Sequence, residues 1–294
     1  MKIINGKDTA NTIKAEIAAE VEQLRSDYGR APHLAAILVG NDPASETYVA
    51  NKEKSCAEVG FMSSVYRLPE DVSEEELIKT IDFINHDDEI DGVIVQLPLP
   101  KHINVDDVIA TINPAKDVDG FHPVNIGKMV LGQPSYIPAT PMGILILLER
   151  SNIETKGKHC VVVGRSNIVG TPASILLSRN TPNANCTVTL CHSKTQNLKE
   201  ICLQADILIV ATGQCEMITA EYIKEGAVVV DVGIHRVKDD SKKSGFSLKG
   251  DVKHDENVEQ KVSAITPVPG GVGPMTILGL LINTLKSFKK EFYQ

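Results

Sequence analysis

The chain has 294 residues, 42% of them apolar and 23% charged, and a formal net charge of −8 at pH 7. This is the composition of a globular protein long enough for two ordinary domains. The acidic balance disfavours a broad nucleic-acid or anionic-membrane surface, and with no run of about 20 apolar residues no membrane span is expected. The opening MKIINGKDTANTIKAEIAAEV is polar every few residues and has no continuous apolar core of the signal-peptide kind, so a cytoplasmic protein is expected. Six cysteines, at 56, 160, 186, 191, 202 and 215, form no CxxC, and several lie in apolar runs. Buried thiols are therefore expected. The eight histidines form no HExxH or HxH, so no metal site is expected.

In chain order, TANTIKAEIAAEVEQLRSDY (9–28) carries apolar positions at helical spacing, with Thr9 or Asn11 as cap. LAAILVG (34–40) predicts a strand. ASETYVANKEKSCAEV (44–59) predicts a helix closed by Gly60. SSVYRLP is a second strand. VSEEELIKTIDFINHD is an amphipathic helix with Ser73 as cap and Glu76 at the capping-box position. IDGVIVQLPLP is a third strand with an abrupt proline exit. This alternation implies a parallel sheet with helices on its faces. A Pro/Gly-rich zone over roughly 113–143 marks the domain change, and PMGILILLER (141–150) reads as a helix with proline near its start.

A second α/β series follows: HCVVVG, ASILLSRN, CTVTLCHS, NLKEICLQA, DILIVATG, TAEYIKEG and AVVVDVG. It has the character of a Rossmann-type domain. Residues 237–249 are polar and predict a surface hairpin or loop. KVSAI predicts a strand, TPVPGGVGPMT (266–276) a shaped loop, and TILGLLINTLKSFKKEF a terminal helix that could rejoin the first domain.

The turn GRSNIVG (164–170) joins a strand to a helix. Its glycines allow backbone N–H groups to approach a pyrophosphate, although the spacing is not GxGxxG and a plain tight turn remains the alternative. The next strand ends LCHSKT, without the carboxylate that commonly bonds the ribose of NAD. Arg165 and Ser193 would suit a 2′-phosphate, which favours NADP; a solvent-facing loop arginine and a turn serine are the alternatives. His192 could assist, or lie at the surface. Thr212, Gly213 and Gly233 mark two more strand ends, where open sheets bind ligands. In the first half, Tyr48 and Lys52 share a helix face, a spacing that a solvent-facing lysine and a partly buried tyrosine explain equally. Gln96 offers an oriented amide at a strand exit. Asp117 and Asp119 in KDVDGF are equally consistent with a plain turn.

Taken together, YVANK, DGVIVQLPLP, KDVDGFHP, GRSNIVGTP, CHSKT, DVGI and TPVPGGVGPMT resemble the bifunctional methylenetetrahydrofolate dehydrogenase/cyclohydrolase family, in family order over nearly the whole chain. One departure is PATP at 138–141, where many relatives look like PCTP; Ala139 removes a thiol but no essential catalytic group. The resemblance implies two α/β domains with a folate cleft between them. Residues 1–120 plus 274–294 would form the folate and catalytic domain, 121–140 the connection, and 141–273 a Rossmann-type NADP domain.

The resemblance also implies roles. Lys52 would be the principal catalytic residue, supported by Gln96. Tyr48 would pack on the aminobenzoyl group, and Asp119 would hold the pterin. Leu97, Pro98, Pro269, Gly270, Gly271, Val272 and Thr276 would line the folate side. Gly164, Arg165, Ser166, Ile168, Val169, Gly170, His192, Ser193, Thr212, Gly213, Gly233 and Ile234 would line the NADP side, with Thr212 and Ile234 near the nicotinamide portion. The implied reactions are oxidation of 5,10-methylenetetrahydrofolate by NADP+ and hydrolysis of the methenyl product to 10-formyltetrahydrofolate. The expected substrates are tetrahydrofolate one-carbon derivatives, with or without a polyglutamate tail, and the expected assembly is a homodimer. A monofunctional NAD-dependent dehydrogenase and a non-catalytic folate or nucleotide binder are the alternatives.

Overall fold

The computed structural model describes residues 1–242 and 245–293. In chain order the elements are β1 (Lys2–Ile3), α1 (Gly6–Tyr28), β2 (His33–Val39), α2 (Pro43–Glu58), β3 (Met62–Leu68), α3 (Glu74–Asn85), β4 (Gly92–Val95), α4 (Val105–Thr111), α5 (Pro123–Leu131) and α6 (Ala139–Arg150). Then follow β5 (His159–Val163), α7 (Gly170–Ser178), β6 (Thr187–Cys191), α8 (Leu198–Cys202), β7 (Ile207–Val210), β8 (Val228–Asp231), β9 (His235–Lys238), β10 (Phe246–Lys249), α9 (Glu256–Lys261), β11 (Ala264–Ile265) and α10 (Val272–Phe288).

Contacts divide the chain into two compact units, residues 11–139 with 277–294, and residues 1–10 with 140–276. Residues 1–10, 121–140 and 274–276 therefore group otherwise than the sequence boundaries suggest. Strand β1 pairs in parallel with β11, which draws the first residues into the second unit. Residues 121–139 belong to the first unit and carry α5, where a bare connection was expected.

In the first unit, β3-β2-β4 form a three-stranded parallel sheet. Leu34 through Val39 of β2 are all buried, as a sheet covered on both faces requires. Helix α3 presents Leu77, Ile81 and Ile84 to this core at i, i+4 and i+7, and leaves Phe83 exposed. Each such burial is worth roughly 1.5–3 kcal/mol. Ser73 caps α3 by accepting from Glu76 N at 3.2 Å. Helix α1, in contrast, is not capped by Thr9 or Asn11. It starts at Gly6, with Asn5 Oδ1 accepting from Asp8 N at 3.1 Å.

In the second unit, six parallel strands run in the order β1-β11-β8-β7-β5-β6. Strand β6 lies on one side of β5 and β7 on the other. The order thus reverses at β5, and open α/β sheets bind ligands at the carboxyl ends beside such a reversal. Some of the expected helices are vestigial. NLKEICLQA yields only the five-residue α8, and TAEYIKEG only a 3₁₀ turn at Ala220–Tyr222. Strands β9 and β10 pair antiparallel, from Phe246 opposite Lys238 to Lys249 opposite His235. Of TPVPGGVGPMT, only 266–271 is loop, because α10 already begins at Val272 with Pro274 in its first turn, where no intrahelical N–H is needed. No helix among the described residues is long and apolar enough to cross a membrane.

Candidate active site

In the first unit, Asp42 caps α2 by accepting from Ser45 N at 2.8 Å, which fixes the helix directly after β2. Tyr48 and Lys52 lie one turn apart on it, both half-buried. Gln96 leaves β4 with its backbone N–H still bonded to Ile37 O at 2.9 Å. Its side-chain amide is oriented at both ends. Nε2 donates to Leu97 O at 2.6 Å, so Oε1 is turned to accept from Lys52 Nζ at 3.1 Å.

Asp119 stands in the KDVDG segment, which runs beside β4 through a parallel bridge from Val93 to Asp117. The two aspartates of that segment divide their work. Asp117 is buried and accepts from the backbone N–H groups of Gly120, Phe121 and His122 and from Asn125 Nδ2, so it builds the turn. Asp119 interacts electrostatically with Lys52. Helix α10 holds the segment in place. Asn283 Nδ2 donates to Val118 O at 2.8 Å and to Ile137 O at 2.9 Å.

The electrostatics follow from this burial. Loss of water pushes the Lys52 ammonium below the usual lysine range, and the Asp119 charge opposes the shift. Burial pushes Asp119 up to about 6, with Lys52 opposing and Asp117 adding. The Cys56 thiol beneath them is pushed up to about 12, mainly by burial, and is inert at neutral pH. A desolvated amine gives up its proton more readily than a solvated one, which suits it to proton transfer. The sequence carried no sign of that desolvation. Leu97 is half-buried and Pro98 exposed, both directly after Gln96.

The second unit brings together the expected cofactor residues at the carboxyl ends of its strands. Gly164 follows β5 with φ +121°, and a Cβ there would meet Ala211 O at 2.0 Å. A Cβ on Gly170 would meet Gly164 O at 1.8 Å. Both positions therefore require glycine, and the turn is tighter than a generic β–α connection. Ser166 Oγ accepts from Val169 N at 3.2 Å. Val169 offers α7 no side-chain cap, so the helix N-terminus is open to an anion. Arg165, Ser166 and Ser193 are exposed, and Arg165 makes no ion pair among the described residues. His192 Nδ1 accepts from Lys194 N at 3.2 Å, closing the turn after β6, where no carboxylate stands. Ile168 and Ile234 are 41% and 44% exposed, leaving apolar surface beside the polar loops. An open helix end, a free guanidinium and the missing carboxylate all fit a dinucleotide with a 2′-phosphate.

Gly270 and Gly271 also serve a close approach. Lys7 N donates to Gly270 O at 2.9 Å, and a Cβ on Gly6 would meet Gly271 O at 1.8 Å. Thr276 Oγ1 lies 2.9 Å from Thr140 Oγ1. Pro269, Gly270, Gly271, Val272 and Thr276 belong to the second unit, whereas Tyr48, Lys52, Gln96 and Asp119 belong to the first.

Residues that sequence reading missed are Asp231, which ends β8, and Asp251, which follows β10 and bonds the loop after β7. Asp251 is fully buried and accepts from Thr212 N at 2.6 Å and Gly213 N at 3.0 Å. Asp231 accepts from the N–H groups of Gly233, Asp251 and Val252. Their only sequence signal was an aspartate next to a nearby glycine, in DVG and KGD.

Two family models together match nearly the whole chain. Residues 4–119 match the catalytic-domain model of tetrahydrofolate dehydrogenase/cyclohydrolase, and residues 138–292 match its NAD(P)-binding-domain model. The chain is 59% identical over 287 residues to the bifunctional protein FolD of Cytophaga hutchinsonii, covering 98% of this chain and 99% of the relative. It is 56% identical over 294 residues to that of Bacteroides fragilis, covering 100% of both. The crystal structure of the bifunctional FolD methylenetetrahydrofolate dehydrogenase/cyclohydrolase of Campylobacter jejuni superposes with a TM-score of 0.92 at 46% identity, covering 99% of each chain. The Trypanosoma brucei dehydrogenase-cyclohydrolase, complexed with NADP cofactor and inhibitor, gives 0.93 at 38% identity, covering 98% of this chain and 97% of that one. With both family models matched and this identity sustained end to end, the chain belongs to the tetrahydrofolate dehydrogenase/cyclohydrolase family.

Proposed function

We propose that this protein oxidises 5,10-methylenetetrahydrofolate to 5,10-methenyltetrahydrofolate with NADP+ and hydrolyses that product to 10-formyltetrahydrofolate. The observation that carries the reading is the desolvated Lys52 amine, held 3.1 Å from Gln96 Oε1 and facing the Asp119 charge. The family membership and the NADP-complexed relative support it.

When bound, NADP+ supplies the hydride acceptor. Hydride leaves the folate methylene with the push of the adjacent nitrogen lone pair, so no base need act on that carbon. The chain contributes positioning. The open start of α7 with Gly164 and Gly170 would hold the pyrophosphate. Arg165, Ser166 and Ser193 would hold the 2′-phosphate, with His192 shaping the turn. Ile168, Val169, Thr212, Gly213, Gly233 and Ile234 would border the rest of the dinucleotide.

Hydrolysis does require proton transfer. Water attacks the cationic methenyl carbon and gives a proton to Lys52 Nζ. The bond to N5 then breaks, N5 gains a proton and the new hydroxyl loses its own as the formyl C=O forms, so one proton is released overall. The substrate cation itself disfavours an ammonium beside it and adds to the effect of burial on Lys52. Gln96 keeps the amine aimed. Tyr48 would pack on the aminobenzoyl ring and Asp119 would bond the pterin. Leu97, Pro98, Pro269, Gly270, Gly271, Val272 and Thr276 would complete the folate side. The folate would be accepted with or without a polyglutamate tail, and the protein would act as a cytoplasmic homodimer. Sedimentation equilibrium should then give twice 31.9 kDa.

The test is a pair of spectral assays, with methylenetetrahydrofolate plus NADP+ or NAD+, and with methenyltetrahydrofolate alone. Formation of NADPH together with methenyl loss above the buffer rate is the expected result. Hydride transfer without hydrolysis would remove the assignment of Lys52. Arg165→Ala should weaken NADP+ by about tenfold while leaving NAD+ nearly unchanged, as loss of one charge-assisted phosphate contact predicts. Equal losses would count against 2′-phosphate recognition.

A further inference from the structure

The geometry points to Asp251 as a positioning residue for hydride transfer: its carboxylate ties the loop after β7 to His235, where the loop after β8 enters β9, and so sets where the nicotinamide end of the dinucleotide is held. This rests on the reading that Thr212 and Ile234 border that end.

Asp251 lies outside every motif that carried the family resemblance, yet it is fully buried at the centre of a small network. Oδ2 accepts from both Thr212 N at 2.6 Å and Gly213 N at 3.0 Å. Oδ1 accepts from His235 Nε2 at 2.7 Å. Thr212 and Gly213 follow β7, and His235 opens β9, into which the loop after β8 leads. Asp251 is itself fixed. Its own N–H donates to Asp231 Oδ1 at 2.9 Å, and Val252 N donates to Asp231 Oδ2 at 3.0 Å. Its carbonyl accepts from Ile218 N at 3.0 Å, and Gly250 O accepts from Glu216 N at 2.9 Å.

The surrounding glycines make room for the carboxylates. A Cβ on Gly233 would meet Asp251 Oδ1 at 2.3 Å, and one on Gly250 would meet Asp231 Oδ2 at 1.8 Å. Thr212 is further tied, because its Oγ1 accepts from Gln214 N at 3.1 Å. A single buried acceptor that serves two adjacent backbone donors leaves both unsatisfied when removed. Hydride transfer is sensitive to displacements of about an ångström. Hydrolysis by Lys52 uses no group in this network.

The test compares Asp251→Ala, Asp251→Ser and Asp251→Asn. The first two remove the reach to Thr212 and Gly213, whereas asparagine keeps one acceptor oxygen for them. Hydrogen exchange is measured without cofactor, with NADP+ affinity by calorimetry and both activities at saturating substrate. In the alanine and serine proteins, amides in 211–214 and 232–236 should exchange faster, and hydride-transfer kcat should fall about 100-fold. Methenyl hydrolysis should stay within about twofold of the parent, since additivity holds between sites without shared partners. Asparagine should restore hydride transfer to within about tenfold of the parent by keeping the acceptor.

Unchanged exchange and hydride transfer in the alanine and serine proteins would overturn the assignment. So would a parallel loss of both activities, or failure of both proteins to fold while asparagine folds, since each marks Asp251 as a folding determinant. Absence of hydride transfer in the parent protein would instead reject the proposed function, which separates the two failures.

Discussion

Lys52 and Asp119 form an opposed pair in which each restrains the other's shift. Burial favours the neutral form of both, and their mutual attraction favours the charged form. Two expectations follow for methenyl hydrolysis at saturating substrate. Lys52→Met removes the proton acceptor and should lower kcat by about 10²–10⁴-fold while folate still binds; calorimetry with the methylene substrate separates binding from turnover. Asp119→Asn removes the charge that holds the Lys52 pKa up. The neutral amine then forms at lower pH, so the limb of kcat that rises with pH should move toward acid. A limb that moves toward alkali, or does not move, would show that neutral Lys52 is not the acceptor. The sign for folding is also fixed for Asp119. Its folded pKa, about 6, lies above the ordinary 3.8, so its favourable contribution is fullest below 3.8 and is lost as pH rises through 6.

The elements place these groups by a few buried polar contacts. Helix α10 is apolar along most of its length, but Asn283 and Ser287 are buried within it. Ser287 Oγ donates to Asp91 O at 2.6 Å and lies 2.9 Å from Ala115 O, and Asn283 donates to Val118 O and Ile137 O. The helix therefore holds the Asp119 segment by its carbonyls. Asn283→Leu keeps the volume but leaves two buried carbonyls unpaired. It should cost about 2–4 kcal/mol, read as a lower denaturant midpoint at unchanged slope. It should also raise the KM of the folate substrate through slack at Asp119. A midpoint within experimental error of the parent would show that these bonds do not hold the segment. The β5–α7 turn works by the opposite device, the absence of side chains. Gly164 and Gly170 admit a backbone approach that any Cβ would block.

Across the whole molecule, a dinucleotide that binds only the folded protein must stabilise it by mass action. At about 100 times its dissociation constant, NADP+ should add about 2.7 kcal/mol and raise the thermal midpoint. NAD+ at the same concentration should raise it less, and equal shifts would argue against 2′-phosphate recognition. The sequence by itself determined the alternation of strands and helices, most element positions and the family. Apolar runs such as LAAILV and CVVV, the Ser73 cap and the glycines of GRSNIVG act over a few residues, where periodicity and turn chemistry suffice. It misled where tertiary pairing overrode local pattern. Strand β1 joined β11, α1 took Asn5 as its cap, and TAEYIKEG made only a 3₁₀ turn. Only the tertiary structure decided the chemistry of the sites. Lys52 meets Gln96 across 44 residues and Asp251 meets Thr212 across 39. Desolvation of Lys52 and the double acceptance by Asp251 depend on which distant segments exclude water from those atoms, and no local pattern in the chain encodes that.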